Sequence, residues 1–200
     1  MSSSDLPDME YFEKNFNNIS FSQTEICDIK FYDCNFTDCQ FNEVNFIRCR
    51  FVDCLFKKCN LGLIKVKDTS FSNTFFEDSK IIGVNWTEAS WPRIELSCPI
   101  QFFRCNISHS TFLGMNLREI RIVECLAEDV DFREANLTLA DLTYTDFTGS
   151  QFLRTNLSNA DFLAATNYNI SILSNNVKKA KFSLPEAISL LRNLDIDLVD

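Results

Sequence analysis

An apolar residue returns at every fifth position along nearly the whole chain. The first run reads Phe16, Phe21, Ile26, Phe31, Phe36, Phe41, Phe46, Phe51, Phe56, Leu61, Val66, Phe71, Phe76, Ile81, Trp86, Trp91 and Leu96. After one extra residue the run resumes as Phe102, Ile107, Phe112, Leu117, Ile122, Ala127, Phe132, Leu137, Leu142, Phe147, Phe152, Leu157 and Phe162. These 30 centres hold 16 of the 20 phenylalanines. A strict period of five fits neither the helix period of 3.6 nor the strand period of 2, so the chain must turn about once per repeat.

The positions around each centre support a repeating turn. Two residues earlier the side chain is small or β-branched, as at Cys34, Val44, Thr69, Ala135, Ala140 and Ala160, and can share an interior with a large ring. Immediately before the centre, Asn or Asp stands in 13 of 30 repeats. Their short polar side chains bond nearby backbone and stabilise turns. The two positions after the centre are mostly polar and are expected to face water.

Ala135-Asn136-Leu137, Ala140-Asp141-Leu142, Thr155-Asn156-Leu157 and Ala160-Asp161-Phe162 resemble the A(D/N)LXX motif of pentapeptide repeat proteins, a resemblance that spans residues 14–164. It implies an all-β fold, a right-handed quadrilateral β-helix in which four repeats make one square coil of about 20 residues. Each coil alone leaves its centres exposed, so stability comes from stacking on neighbours.

The expected organisation is a lead-in at 1–13, a first repeat segment at 14–96, a one-residue register slip at 97–101, a second segment at 102–164, and a C-terminal cap and tail at 165–200. The stretch Trp91 to Gln101 that holds the slip contains Pro92 and Pro99, which remove ladder donors, so it reads as a bulge or small kink, either a harmless irregularity or a hinge. Ser183 and Glu186 fit a capping box, with Pro185 in the first turn, and predict a short C-terminal helix from about 184 to 193. The tail Leu194 to Val199 alternates like an exposed strand. Capping of the open end is one reading. The other is a homodimer joined through Ile188, Leu191, Leu194, Ile196 and Leu198, as the resemblance to Qnr-type proteins implies.

Composition narrows the chemistry. Gly and Pro supply only 4 residues each, so something else must turn the corners. Seven cysteines (Cys34, Cys39, Cys49, Cys54, Cys59, Cys105 and Cys125) take the small inward position, which burial as small hydrophobes explains. Disulfides between stacked coils are disfavoured in a reducing cytoplasm. There is no CxxC pair, and His109, the single histidine, falls on an outward position, so no metal or other cofactor is expected. Ser108 and Ser110 flank His109, but a four-sided rod offers no cleft for catalysis, and the chain is not expected to be an enzyme.

No apolar run reaches the roughly 18 residues of a membrane span, and the start carries acids where a signal peptide carries bases, so the expected location is the cytoplasm. With 19 basic against 28 acidic residues the formal charge is −9, the wrong sign for gripping nucleic acid directly. Acids gather two residues after the centre, at Asp28, Asp33, Asp38, Glu43, Asp53, Asp68, Asp78, Glu88, Glu119, Glu124, Asp129 and Glu134.

Residues 1–47 sum to −7, Arg48 to Lys67 to +5, and Glu119 to Asp161 to −6. The resemblance implies a DNA-mimicking rod that binds DNA gyrase, a bacterial type II topoisomerase, with quinolone or toxin tolerance as the consequence. Glu119, Glu124, Asp129, Asp131, Glu134, Asp141, Asp146 and Asp161 are the expected contacts. The basic band and the absence of the extended loops of many Qnr proteins are departures from that pattern. The alternatives are acids that merely keep a rod soluble, and a scaffold with an unrelated protein partner.

Overall fold

The computed structural model describes residues 9–21, 25–91, 99–192, 194 and 196. Short strands pair only in parallel, and each partner lies one coil further along the chain. Glu10 pairs with Lys30, Lys30 with Arg50 and Arg50 with Ser70, one full turn separating each pair. The chain is a right-handed β-solenoid of about 8 turns. At a strand spacing of about 4.8 Å the rod is roughly 38 Å long.

Four walls enclose one core. Wall 1 begins with the centres Tyr11, Phe31, Phe51 and Phe71. Wall 2 has Phe16, Phe36, Phe56 and Phe76, wall 3 Phe21, Phe41, Leu61 and Ile81, and wall 4 Ile26, Phe46, Val66 and Trp86. Rings of one wall stack face to face, with Phe36, Phe56 and Phe76 separated by 4.6 and 5.1 Å. Rings of adjacent walls meet edge-on, as Phe51 meets Phe56 at 5.4 Å. Both arrangements suit the aromatic quadrupole, and Phe is the residue that satisfies them in every coil.

The backbone explains the rest of the repeat. Each centre donates its N–H to a carbonyl of the next coil, as Phe41 does to Asn60 at 2.7 Å, and the residue before it donates to the coil below, as Leu55 does to Cys34 at 3.0 Å. Two after the centre, the chain adopts a left-handed conformation, with φ near 50–60° at Asp33, Asp53, Lys58, Leu63, Glu134 and Tyr144 among others. This residue turns the corner, in place of glycine. The conformation costs roughly 1–2 kcal/mol for an L-residue and least for Asn and Asp, whose side chains bond locally. Every acid predicted at this position adopts it except Glu88, which ends the 3₁₀ turn Trp86–Glu88.

The inward cysteines do more than fill space. At some of these positions the N–H closes a turn, as Ala135 does to Phe132 at 3.2 Å. At others the side chain of the residue one coil above receives it: Cys59 N–H donates to Ser79 Oγ at 2.9 Å, and Cys125 N–H to Thr145 Oγ1 at 3.1 Å. The same side chains donate to the centre carbonyl of the coil below, Cys59 Sγ to Phe36 at 3.3 Å and Ser79 Oγ to Phe56 at 3.2 Å. Burial pushes the Cys49 thiol up to about 11 and the Cys54 thiol up to about 12, so both stay protonated donors.

Five expectations need correction. The lead-in ends sooner, because Tyr11 is itself a buried centre lying on Phe31, and Glu10–Phe12 is a strand. The register slip is larger than one residue. Phe76 pairs with Phe102, so one coil is longer than the others by a full repeat plus one residue, and Phe102 holds the place expected for Leu96. The sequence period reveals only the remainder. Leu96 and residues 92–98 lie outside the described residues.

At the other end the solenoid continues past residue 164. Asp161 pairs with Lys181 and Phe162 with Phe182, and Tyr168 is buried in this further coil. The predicted helix is a 3₁₀ helix, Glu186–Leu191, without a side-chain cap. Ser183 and Glu186 do not form a capping box: their oxygens accept the backbone N–H groups of Ala164 and Asn167, both at 2.9 Å.

Candidate partner surface

The outward side chains form columns one strand spacing apart, so electrostatics is decided by what stands one coil away. Arg48 forks onto Asp28 at 2.6 and 2.7 Å and holds that carboxyl below its usual range. Lys57 reaches Glu77 at 3.2 Å, and Arg104 reaches Asp78 at 2.7 Å across the long coil. Asp38 and Asp78 share a column with Lys58, but Asp78 takes Arg104 as its ion-pair partner.

The expected contact acids between 119 and 161 are largely occupied by cations. Asp131 accepts from Nε and Nη2 of Arg133, at 2.9 and 2.8 Å, and this hydrogen bonding lowers its pKa. Glu134 pairs with Arg154, Asp141 with Arg121 at 3.5 Å, Asp161 with Lys181 at 2.8 Å and Glu119 with Arg118 at 3.0 Å. Asp129 faces His109 at 3.6 Å. Burial acts to raise the Asp146 carboxyl, but hydrogen bonds from Asn167 and Thr148 outweigh it and leave it low. Glu124 alone of the eight has no ion pair or side-chain hydrogen bond among the described residues.

Counting the neighbours changes the sum. Over residues 118–181 nine acids meet seven bases, a net −2. Arg118 directly precedes the segment that defined the acidic block, and Lys178, Lys179 and Lys181 lie in the coil that follows it.

The N-terminal half retains uncompensated charge. Glu13, Asp33 and Asp53 stack along the corner between walls 1 and 2, without ion pairs among the described residues, and Asn73 donates to Asp53 at 2.6 Å. The band Arg48 to Lys67 is one whole turn that sums to +5 along the chain, of which Arg48 and Lys57 are paired with Asp28 and Glu77 of the neighbouring coils.

Of the expected dimer contacts, Ile188 and Ile196 are 48% and 52% exposed, and Leu191 and Leu194 are half-buried. Leu198 lies outside the described residues.

The hydroxyls beside His109 are committed to the ladder. Ser108 Oγ accepts from Glu128 N–H at 3.2 Å, and Ser110 Oγ donates to the Ile81 carbonyl at 3.1 Å. Both serines are buried, while His109 points out beside Asp129. Among the described residues no group of three or more His, Cys, Asp or Glu is placed to hold a metal ion. No helix among them is long and apolar enough to cross a membrane.

Square coils, a five-residue register and left-handed corners define a quadrilateral β-solenoid with its outward side chains in columns. The chain matches the model of the pentapeptide repeat region over residues 29–98 and 84–162, and it belongs to the pentapeptide repeat family. No curated protein matches it.

Among solved structures it is similar to a trypsin-treated variant of QnrB1, a plasmid-mediated fluoroquinolone resistance protein, with TM-score 0.70 and 19% identity over 96% of this chain and 92% of that one. A second trypsin-treated QnrB1 variant gives 0.63 and 16%, covering 96% and 100%. HetL from the cyanobacterium Nostoc, a pentapeptide repeat protein involved in heterocyst differentiation regulation, gives 0.53 and 12%, covering 86% and 84%. At these identities the likeness is one of fold.

Proposed function

We propose that the rod acts by binding a basic protein surface as a DNA mimic, and that its partner is a bacterial type II topoisomerase, DNA gyrase, in the cytoplasm. The observation that carries this reading is the corner column Glu13, Asp33 and Asp53, carboxylates at regular spacing on a rod that shares its fold with QnrB1. Oppositely charged surfaces of this kind steer association and lose affinity as salt rises. The N-terminal coils and Glu124, not the neutralised acids near Arg133 and Arg154, form the contact. Tolerance to quinolones or to a gyrase toxin is the consequence, and the exposed Ile188 and Ile196 join two rods end to end.

Gyrase supercoiling measured over a titration of the protein, with and without a fluoroquinolone, tests the proposal. An effect that weakens with salt and with Asp33→Asn plus Asp53→Asn supports it, and no effect at micromolar protein defeats it. A doubled mass on sizing, lost on deleting residues 184–200, tests the end-to-end dimer.

A second reading has its own support. The cationic coil Arg48 to Lys67 interrupts the negative surface, which favours a scaffold with an unrelated protein partner. Recovery from a lysate of one other protein and no topoisomerase would select it.

A further inference from the structure

The outer corner between walls 2 and 3 carries a recess of about 570 Å³, set between the corner column Lys58, Asp78 and Arg104 and the adjacent wall column Asn60, Lys80 and Asn106. Both columns stand on the outer face of the rod, so one ligand can meet them together. The volume lies within the roughly 300–1,000 Å³ of small-ligand sites. The long coil assembles the recess, because Lys80 bridges to Asn106 and Asp78 takes Arg104 at 2.7 Å.

The lining is a set of oriented donors. Asn60 Oδ1 accepts the Gly62 N–H at 3.2 Å and Asn106 Oδ1 the Ser108 N–H at 3.0 Å, which leaves each NH2 as a donor without an acceptor among the described residues. Lys58 and Lys80 are exposed and take no ion pair there. Asp78 is the one carboxylate in the lining, and Arg104 holds it, while Asp38, one coil from Lys58, lies outside. Three cations against one acid leave the lining at +2. Free ammonium groups beside fixed amide donors suit an oxyanion that carries several charges. No aromatic side chain lines the recess, so nothing in it would stack on a base.

We propose that this recess binds the phosphate chain of a linear polyphosphate, with its oxygens on Lys58 and Lys80 and on the NH2 groups of Asn60 and Asn106. Ammonium groups meet phosphate as point charges, and the amides fix the chain along the column. Asn60, Lys80 and Asn106 span two strand spacings, about 10 Å, so linked phosphates gain contacts that a single phosphate cannot make. The site lies on a different corner from Glu13, Asp33 and Asp53 and does not rest on the topoisomerase reading.

The test is calorimetric titration of the full chain, at about 0.1 M salt and without divalent cations, with orthophosphate, pyrophosphate, tripolyphosphate, ATP and adenosine. Saturable binding is expected with tripolyphosphate, weaker with pyrophosphate and weakest with orthophosphate, with ATP no tighter than tripolyphosphate and adenosine silent. Lys58→Gln plus Lys80→Gln should raise the tripolyphosphate dissociation constant about tenfold or more, the loss of two charge-assisted contacts. Lys65→Gln plus Lys67→Gln, which removes the same charge from wall 4, should change it less than about twofold. No saturable heat up to about 5 mM tripolyphosphate overturns the proposal. So do equal losses in the two double variants, which would mean a diffuse response to charge. An affinity for ATP about tenfold above that for tripolyphosphate overturns it as well, because the ligand would then be a nucleotide.

Discussion

Ser183 Oγ accepts the backbone N–H of Ala164 at 2.9 Å, in the place where the coils below offer a carbonyl. Glu186 Oε1 does the same for Asn167, so two side chains stand in for ladder carbonyls at these two donors. Removing either acceptor leaves an end donor to water. Ser183→Ala and Glu186→Ala should each cost about 1 kcal/mol and speed hydrogen exchange at Ala164 and Asn167. Unchanged protection at both amides would contradict this role.

Phe56 lies between Phe36 and Phe76 and is 1% exposed. Phe56→Ala leaves a cavity that neighbouring coils cannot close without moving their own ladders, and should cost about 3–5 kcal/mol in urea unfolding. A loss below about 1 kcal/mol would mean that the stack can collapse around the gap.

Gly149 has φ of +70°, and a Cβ there would stand 2.1 Å from Asp129 Oδ1. Gly149→Ala should lower the melting temperature through both strain and clash, and adding Asp129→Ala should recover the part due to the clash. Equal melting temperatures for the single and double variants would assign the whole effect to the backbone.

Buried thiols make the rod sensitive to alkali. Their folded pKa values, about 11 for Cys49 and about 12 for Cys54, lie above the unfolded value near 8.5. Their contribution is complete below that unfolded value and is lost as pH rises towards the folded ones. The melting temperature should therefore fall from about pH 8.5 upward, and more gently in Cys49→Ala plus Cys54→Ala. Parallel curves for the two proteins would exclude the thiols as the cause.

Acid acts through carboxylates such as Asp131, held low by Arg133. Its contribution is present above the unfolded value near 3.9 and disappears as pH falls through the folded one. Asp131→Asn should flatten the loss of stability on the acid side of about pH 4, and an unaltered acid limb would show that the pair contributes nothing.

The period of five made the core legible residue by residue, since Phe36, Phe56 and Phe76 needed only their spacing to be placed in one column. The charge pattern was harder to read. A run such as Glu119 to Asp161 looks acidic along the chain, but further cations reach it from outside, Lys181 onto Asp161 from the next coil and Arg118 onto Glu119. The last coil is hidden from the period because Phe152 bridges to Ile170, short of a full turn, which moves the buried Tyr168 off the register. Ser183 and Glu186 carry a helix-cap pattern, yet the nearest unpaired donors in space belong to the coil below them.

The long coil still delivers Phe102 directly above Phe76. The coils on either side of the added length therefore stay in register with each other. The stretch between Trp91 and Pro99 is where a foreign peptide could be spliced with both halves left in phase about one axis.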